Sequence, residues 1–325
     1  MLPRNEAIRQ MNEWGAKGTP FLFFTDFLGN QAQVIQSEKA ASLDIRYDFN
    51  GISNSERPSH SAVSLEKSPI SKAAFTLAFD ELMKEIKYGN SFLTNLTFET
   101  PVVPSAGLKT IFQRTTAKYK LLLDDRFVCF SPEIFIQIKD GKIHSFPMKG
   151  TIDASLPNAA ELILKDPKEL AEHVTIVDLI RNDLSAVADQ VTVARFRYID
   201  EIRTGTGTIL QVSSEIVGNV RKAWQAHIGD ILFSLLPAGS ICGAPKPKTV
   251  EIIQQIETHK RGFYTGVCGL FDGEKLDSGV MIRFIEKRGD GYVYKSGGGI
   301  TAFSDVDKEY DEYIRKIYIP VSHAR

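Results

Sequence analysis

Residues 146–151 read Phe146-Pro147-Met148-Lys149-Gly150-Thr151, and Ser131-Pro132-Glu133 lies one hairpin upstream. A lysine held in a Pro-x-Lys-Gly-Thr turn near a glutamate pairs a nucleophile with a group that can move protons. To attack carbon the Lys149 amine must be neutral, which desolvation or a nearby positive charge such as magnesium favours. Glu133 could then transfer protons at the reacting centre. Taken singly, Lys149 equally fits an ordinary surface lysine of a hairpin. No Ser-His-Asp or Cys-His arrangement competes for the nucleophilic role.

Two helices each offer a pair of glutamates. Asp166-Pro167-Lys168-Glu169 has the form of a helix start, with Asp166 as N-cap, Pro167 in the first turn and Glu169 closing a capping box. Glu172 and His173 follow, and Glu169 and Glu172, three apart, share a face. About Val306 to Ile319 the arrangement repeats, with Glu309, Glu312 and Lys316 on one stripe and Tyr310, Tyr313, Ile314 and Ile317 on another. Magnesium takes octahedral oxygen ligands and commonly only one or two protein carboxylates, so one glutamate per helix would suffice. Spacing alone also fits two solvated charged faces.

Gly297-Gly298-Gly299, after a strand at 291–296, permits backbone N–H groups to approach a carboxylate, though a triple glycine also suits a simple tight turn. Thr204-Gly205-Thr206-Gly207 lacks the full dinucleotide fingerprint, and NAD binding is not expected. The run Leu236 to Lys246, with two prolines and two glycines, could wall a small-molecule site or simply connect helices with an exposed lysine.

The elements that must position these groups follow an α+β pattern dominated by antiparallel pairing. Pro20 to Leu28 suits a buried strand, 71–88 a helix stopped by Gly89, and Phe92 to Phe98 a strand. Asp140-Gly141 and Asp272-Gly273 sit between β-like runs as hairpin turns. Helices at 159–165, 167–186, 225–236 and 248–259 interleave with strands near 191–202, 208–217, 279–287 and 291–296. Residues 50–70, rich in Ser, Asn and Pro, read as an exposed connection after a short N-terminal part, within one domain spanning 1–325.

The 325 residues, 43% of them hydrophobic, can bury a substantial core. With 39 Lys and Arg against 40 Asp and Glu, the net charge of -1 gives no broad attraction for nucleic acid or anionic membrane. Three scattered cysteines, Cys129, Cys242 and Cys268, argue for neither a disulfide framework nor a zinc site and suit a reducing cytosol. No signal-peptide pattern and no run of apolar residues long enough to span a bilayer is present, so a soluble cytoplasmic protein is expected.

Together these segments resemble the chorismate-utilising enzymes, which include anthranilate synthase component I, aminodeoxychorismate synthase component I, isochorismate synthase and salicylate synthase. The resemblance spans roughly residues 70–320 through Ser131-Pro132-Glu133, the Lys-Gly-Thr turn, Asp166 to Leu184, Pro237 to Lys246, Arg261 to Gly269, Ser296 to Ile300 and Glu309 to Lys316. It implies a single α+β sandwich of antiparallel sheets with outer helices. It implies Glu133 as the acid that protonates a departing hydroxyl, and Glu172 and Glu312 as magnesium ligands with Glu169 and Glu309 behind them. By the same resemblance Tyr264, Arg283, the backbone of Gly297, Gly298 and Gly299, and Lys316 would hold the two substrate carboxylates, with Thr151 in the same pocket.

Within the family Lys149 is informative, because anthranilate synthases usually carry a small residue there. Aminodeoxychorismate synthases place a lysine that attacks C2 of chorismate and expels the C4 hydroxyl, after which ammonia enters at C4. Isochorismate and salicylate synthases use a lysine in an earlier strand to activate water, where this chain has Leu93. The chain departs from a common Met-His-x-x-Ser pattern, since Gln211 stands in place of the histidine and cannot exchange a proton at neutral pH. The tryptophan-feedback motif Leu-Leu-Glu-Ser is not evident. The expectation is an aminodeoxychorismate synthase component I that depends on a glutamine amidotransferase subunit, since no glutaminase signature is present. Anthranilate synthase component I and a non-catalytic chorismate-binding protein are the alternatives.

Overall fold

The structure, a computed structural model, describes residues 1–55, 63–123, 125–204 and 207–320. Residues 56–62 of the 50–70 connection and Gly205-Thr206 lie outside the described residues. The described strands form two sheets, and every strand pair is antiparallel. One runs in the order Leu2–Pro3, Gln31–Gln36, Phe21–Thr25, Val267–Phe271, Leu276–Val280, Ile134–Lys139, Lys142–Ser145, Gly207–Asn219, Met148–Asp153, with Asp189–Thr204 also paired to Gly207–Asn219. The other runs Gly243–Ala244, Leu93–Pro104, Gly291–Thr301, Phe284–Arg288, Phe127–Ser131, Tyr119–Leu123, Ile45–Phe49, Ile52–Ser53, with Leu65–Lys67 added to Leu93–Pro104.

The aromatic run Phe21–Thr25 is buried along its whole length because each of its faces meets an apolar layer. Leu22 and Phe24 face the second sheet, where Phe24 meets Phe127 edge-on at 6.0 Å and Phe127 stacks on Phe284 at 4.8 Å. Phe21 and Phe23 face a cluster that includes Ala7 and Met11 of helix Arg4–Ala16 and Ile231 and Leu232 of helix Ile228–Leu235. Helices Lys72–Tyr88, Leu108–Arg114, Lys246–Ile256 and Val306–Arg315 cover the outer face of the second sheet. Burying a phenylalanine stabilises the fold by about 2–3 kcal/mol, so Phe127→Ala, emptying the space between the sheets, should cost about 3–5 kcal/mol. The arrangement is the α+β sandwich of antiparallel sheets that the family resemblance implies.

Local signals are realised closely. Ser71 caps helix Lys72–Tyr88, and Gly89 at φ 92° ends it. Asp140 and Gly141 both adopt positive φ in a two-residue hairpin between Lys139 and Lys142. Four features differ from the sequence reading. The strand expected at 279–287 breaks between Val280 and Phe284, where Arg283 has φ 55° and the chain passes from one sheet to the other. The triple glycine is not a turn but lies inside the strand Gly291–Thr301, paired residue by residue with Leu93–Pro104. The last helix ends at Arg315, with Lys316 as its C-cap, rather than continuing to Ile319. The charged N-terminus forms a helix, Arg4–Ala16, whose buried Ala7, Met11 and Gly15 recur every fourth residue.

Candidate active site

Two sheet-to-sheet crossings run side by side and carry charged groups. Glu133 lies between Phe127–Ser131 of one sheet and Ile134–Lys139 of the other, and Arg283 lies between Leu276–Val280 and Phe284–Arg288. The crossings are tied together, since Val280 N donates to Glu133 O and Phe130 N to Arg283 O, each at 3.1 Å.

Lys149 enters from the strand Met148–Asp153. Its register against Gly207–Asn219 shifts between Lys149, opposite Val212, and Thr151, opposite Gln211, so Gly150 is the extra residue of a bulge. Gly150 has φ 76°, which demands glycine, and a Cβ there would lie 2.7 Å from Glu169 Oε2, pushing that carboxylate aside. Lys149 Nζ donates to Glu172 Oε2 at 3.2 Å. Glu169 and Glu172 project from helix Pro167–Ser185, whose start is capped by Asp166 Oδ1 accepting from Glu169 N at 3.0 Å.

From the opposite side comes helix Val306–Arg315, capped by Asp305, which accepts from Asp307 N and Lys308 N at 3.1 Å. Glu309 is buried and accepts from Ser304 Oγ at 2.7 Å. Lys316 Nζ pairs with Glu312 Oε1 at 2.6 Å and donates to Gly297 O at 3.0 Å. The glycine strand brings backbone close to these groups, and at Gly297 a Cβ would lie 2.0 Å from Leu96 O, where no side chain fits. A Cβ on Gly298 would lie 3.5 Å from Glu309 Oε2 and 3.6 Å from Glu312 Oε1, and one on Gly299 would lie 2.9 Å from Lys149 Nζ.

These groups line one cavity of about 620 Å³. Glu133, Lys149, Thr151, Glu169, Glu172, Gln211, Tyr264, Arg283, Gly297, Gly299, Glu309, Glu312 and Lys316 all border it. Gly298 is not among its lining residues; it faces the C-terminal helix instead. Leu93 also borders the cavity.

Electrostatically the cavity is strained by burial. Desolvation raises the Glu133 pKa above the ordinary carboxylate range, opposed by a hydrogen bond from Ser240 Oγ and by the charges of Arg283, Lys149 and Lys316. Desolvation lowers the Lys316 pKa, opposed by Glu312. Burial raises the Tyr264 phenol, so it remains a neutral hydrogen-bonding group. Behind the site His173, fully buried, contacts Ser214 Oγ at 2.7 Å, and burial with the charges of Arg197 and Lys149 pushes its pKa down to about 4.

Sequence reasoning missed Ser240 and Asn95. Ser240 stands in the Leu236 to Lys246 run, whose Gly239, Cys242 and Gly243 also wall the cavity, and Lys246 is not an exposed lysine but pairs with Asp183 at 2.7 Å. The proline-glycine composition marked the segment but not the serine within it. Asn95 had no signal, being one of several polar residues in the strand Leu93–Pro104.

The carboxylate oxygens of Glu169, Glu172, Glu309 and Glu312 are hard donors of the kind magnesium takes. Among the described residues no three Asp, Glu, His or Cys side chains converge as a ready metal cluster. An ion that keeps several waters and uses one or two carboxylates does not require one, and the donor set fits it.

The chain belongs to the chorismate binding enzyme family, whose sequence profile matches residues 16–322. An uncharacterized PabA-like protein of Pasteurella multocida is 51% identical over 97% of this chain and 98% of its own length. Aminodeoxychorismate synthase component 1 of Bacillus subtilis is 30% identical over 77% of this chain and 55% of its length. Anthranilate synthase component 1 of Aquifex aeolicus is 34% identical over 57% of this chain and 38% of its length. MenF, the menaquinone-specific isochorismate synthase from Escherichia coli, superposes with a TM-score of 0.72 at 17% identity, covering 96% of this chain and 80% of that one, a likeness of fold. No helix among the described residues is long and apolar enough to cross a membrane.

Proposed function

We propose that the chain is the chorismate-aminating component of an aminodeoxychorismate synthase, a cytoplasmic enzyme that makes 4-amino-4-deoxychorismate for p-aminobenzoate and folate synthesis. The observation that carries this reading is Lys149, an amine on a glycine bulge in the same cavity as the buried acid Glu133. Lys149 Nζ attacks C2 of chorismate, the ring electrons shift, and the C4 hydroxyl leaves as water with a proton from Glu133. Ammonia then adds at C4 as the bond from C2 to Lys149 breaks, returning the amine. A raised carboxyl pKa suits this acid, because more of it is protonated at neutral pH.

The substrate is a dicarboxylate. Arg283, whose buried Nε has no hydrogen-bond partner among the described residues, and Lys316 are its anchors in this reading, with Tyr264, Thr151, Gln211 and the glycine strand completing the pocket. Carboxylates outnumber cations along the cavity, so a dianion entering it requires compensating positive charge. Magnesium held by Glu172 and Glu312, with Glu169 and Glu309 behind them, would supply that charge to the ring carboxylate. Ammonia comes from a glutamine amidotransferase subunit in this account.

Anthranilate synthase activity is the second reading, favoured by the identity to the Aquifex aeolicus enzyme; amination at C2 would collide with attack by Lys149 on the same carbon. Lys149→Ala tests the covalent route. The variant should bind chorismate with magnesium as the parent does and lose amination by at least 100-fold, a loss in the range of a removed nucleophile. Full amination by Lys149→Ala would refute it.

A further inference from the structure

Four buried side-chain atoms among the described residues have no hydrogen-bond partner: Asn95 Oδ1, His173 Nδ1, Arg197 Nε and Arg283 Nε. Two of these residues, Asn95 and Arg283, line the cavity, and their orphaned atoms are of opposite sense. Arg283 Nε is a donor, which a substrate carboxylate would satisfy. Asn95 Oδ1 is an acceptor, and a carboxylate cannot satisfy it.

The backbone that carries this acceptor is held in place. Asn95 is paired in register with Gly299, so its side chain lies on the same sheet face as the missing side chain of that glycine. A Cβ on Gly299 would lie 2.9 Å from Lys149 Nζ and 3.2 Å from Leu93 Cδ1, and Leu93, two residues before Asn95, shares its face. The carboxamide therefore borders the floor of the cavity where the Lys149 amine emerges. Its backbone is held by Arg261 Nη2, which donates to Asn95 O at 2.7 Å while Glu257 grips the same guanidinium at 2.7 and 2.9 Å. An unpaired buried acceptor costs about 1–3 kcal/mol, so this one is suited to a donor that arrives with the reactants.

The reactants offer few donors. Lys149 is directed at Glu172 before substrate enters and at C2 of chorismate in the amination reading, and the two carboxylates of chorismate are acceptors, leaving a ring hydroxyl and the incoming nitrogen. A neutral carboxamide can hold ammonia by an N–H while leaving its lone pair for carbon, whereas a carboxylate would favour ammonium, which has no lone pair. We propose that Asn95 is the ammonia-binding residue of this site, its Oδ1 accepting an N–H of the incoming nucleophile. The assignment rests on the amination reading.

The test is steady-state kinetics with ammonium chloride as nitrogen source and magnesium at saturation, alongside calorimetric titration of chorismate, for the parent, Asn95→Ala and Asn95→Asp. The alanine variant should raise the ammonia KM about fivefold to tenfold, the loss of one hydrogen bond, with the chorismate Kd within twofold of the parent. The aspartate variant should lower kcat further by holding ammonium. Asn95→Ser, which keeps a small polar side chain in the strand, provides the same comparison if alanine impairs folding. A weaker chorismate Kd with an unmoved ammonia KM would assign the acceptor to the substrate hydroxyl and overturn the proposal, as would no change in either constant. A parent chain that binds chorismate but makes no aminated product would instead refute the amination reading, and this assignment with it.

Discussion

Lys149 Nζ and Glu172 Oε2 are 3.2 Å apart, joining the bulged strand Met148–Asp153 to the helix Pro167–Ser185. One glutamate thus serves two partners in the proposed account, the amine and magnesium, and cannot serve both fully. Added magnesium should release the amine. Labelling of Lys149 by an amine-reactive reagent, followed by peptide mass spectrometry, should speed up severalfold with magnesium in the parent and be magnesium-independent in Glu172→Gln. Labelling that magnesium leaves unchanged in the parent would separate Glu172 from the metal.

The Ser240 hydroxyl donates to Glu133 and lowers its pKa, against the larger upward pull of desolvation. Ser240→Ala removes a donor to the charged form, so the pKa rises further. Activity that needs protonated Glu133 is lost as pH rises through that pKa, and the alkaline limb of the kcat/KM profile should therefore move to higher pH in the variant. A limb that stays put would remove Glu133 from the acid role.

Two glycine substitutions should fail in different ways. Gly150→Ala forces an alanine to φ 76° with its Cβ 2.7 Å from Glu169, and should cost about 1–2 kcal/mol of stability as well as activity. Gly299→Ala meets only the flexible end of Lys149 at 2.9 Å and Leu93 at 3.2 Å, so it should melt close to the parent while losing amination at least tenfold. Thermal melts beside initial rates distinguish the two; an active Gly299→Ala would mean that the amine need not occupy that space.

His173 has a folded pKa of about 4 against an ordinary value of 6.5, because its buried site favours the neutral ring. The unfolded chain binds the extra proton between these values, so this contribution is complete above pH 6.5 and lost as pH falls towards 4. The difference corresponds to about 3 kcal/mol. His173→Gln, able to keep a hydrogen bond to Ser214, should show a stability curve flatter by about that amount between pH 7 and pH 4 in denaturant titrations. Parallel curves would contradict a neutral buried His173.

What the sequence makes legible is what is encoded locally. Lys149 beside its glycine, in a bulged strand rather than the turn its spacing suggests, Glu172 on a capped helix and Glu312 on an amphipathic one are each marked by neighbours within a few residues. The Ser240 bond to Glu133 spans 107 positions and has no local trace. The triple glycine looks like a turn because its strand conformation is imposed by pairing with Leu93–Pro104, a partner far away in sequence. Arg283 was placed by resemblance, yet its positive φ and the crossing it occupies interrupt a strand that the apolar pattern presents as continuous. The helix Arg4–Ala16 is hidden by charged residues on its outer face, although Ala7, Met11 and Gly15 carry the period that packs it.

The most direct test is product identity. Purified chain is incubated with chorismate, magnesium and ammonium, with and without aminodeoxychorismate lyase, and products are resolved by chromatography and mass. The account predicts p-aminobenzoate only when lyase is added and 4-amino-4-deoxychorismate without it. Anthranilate in either reaction would contradict the role given to Lys149.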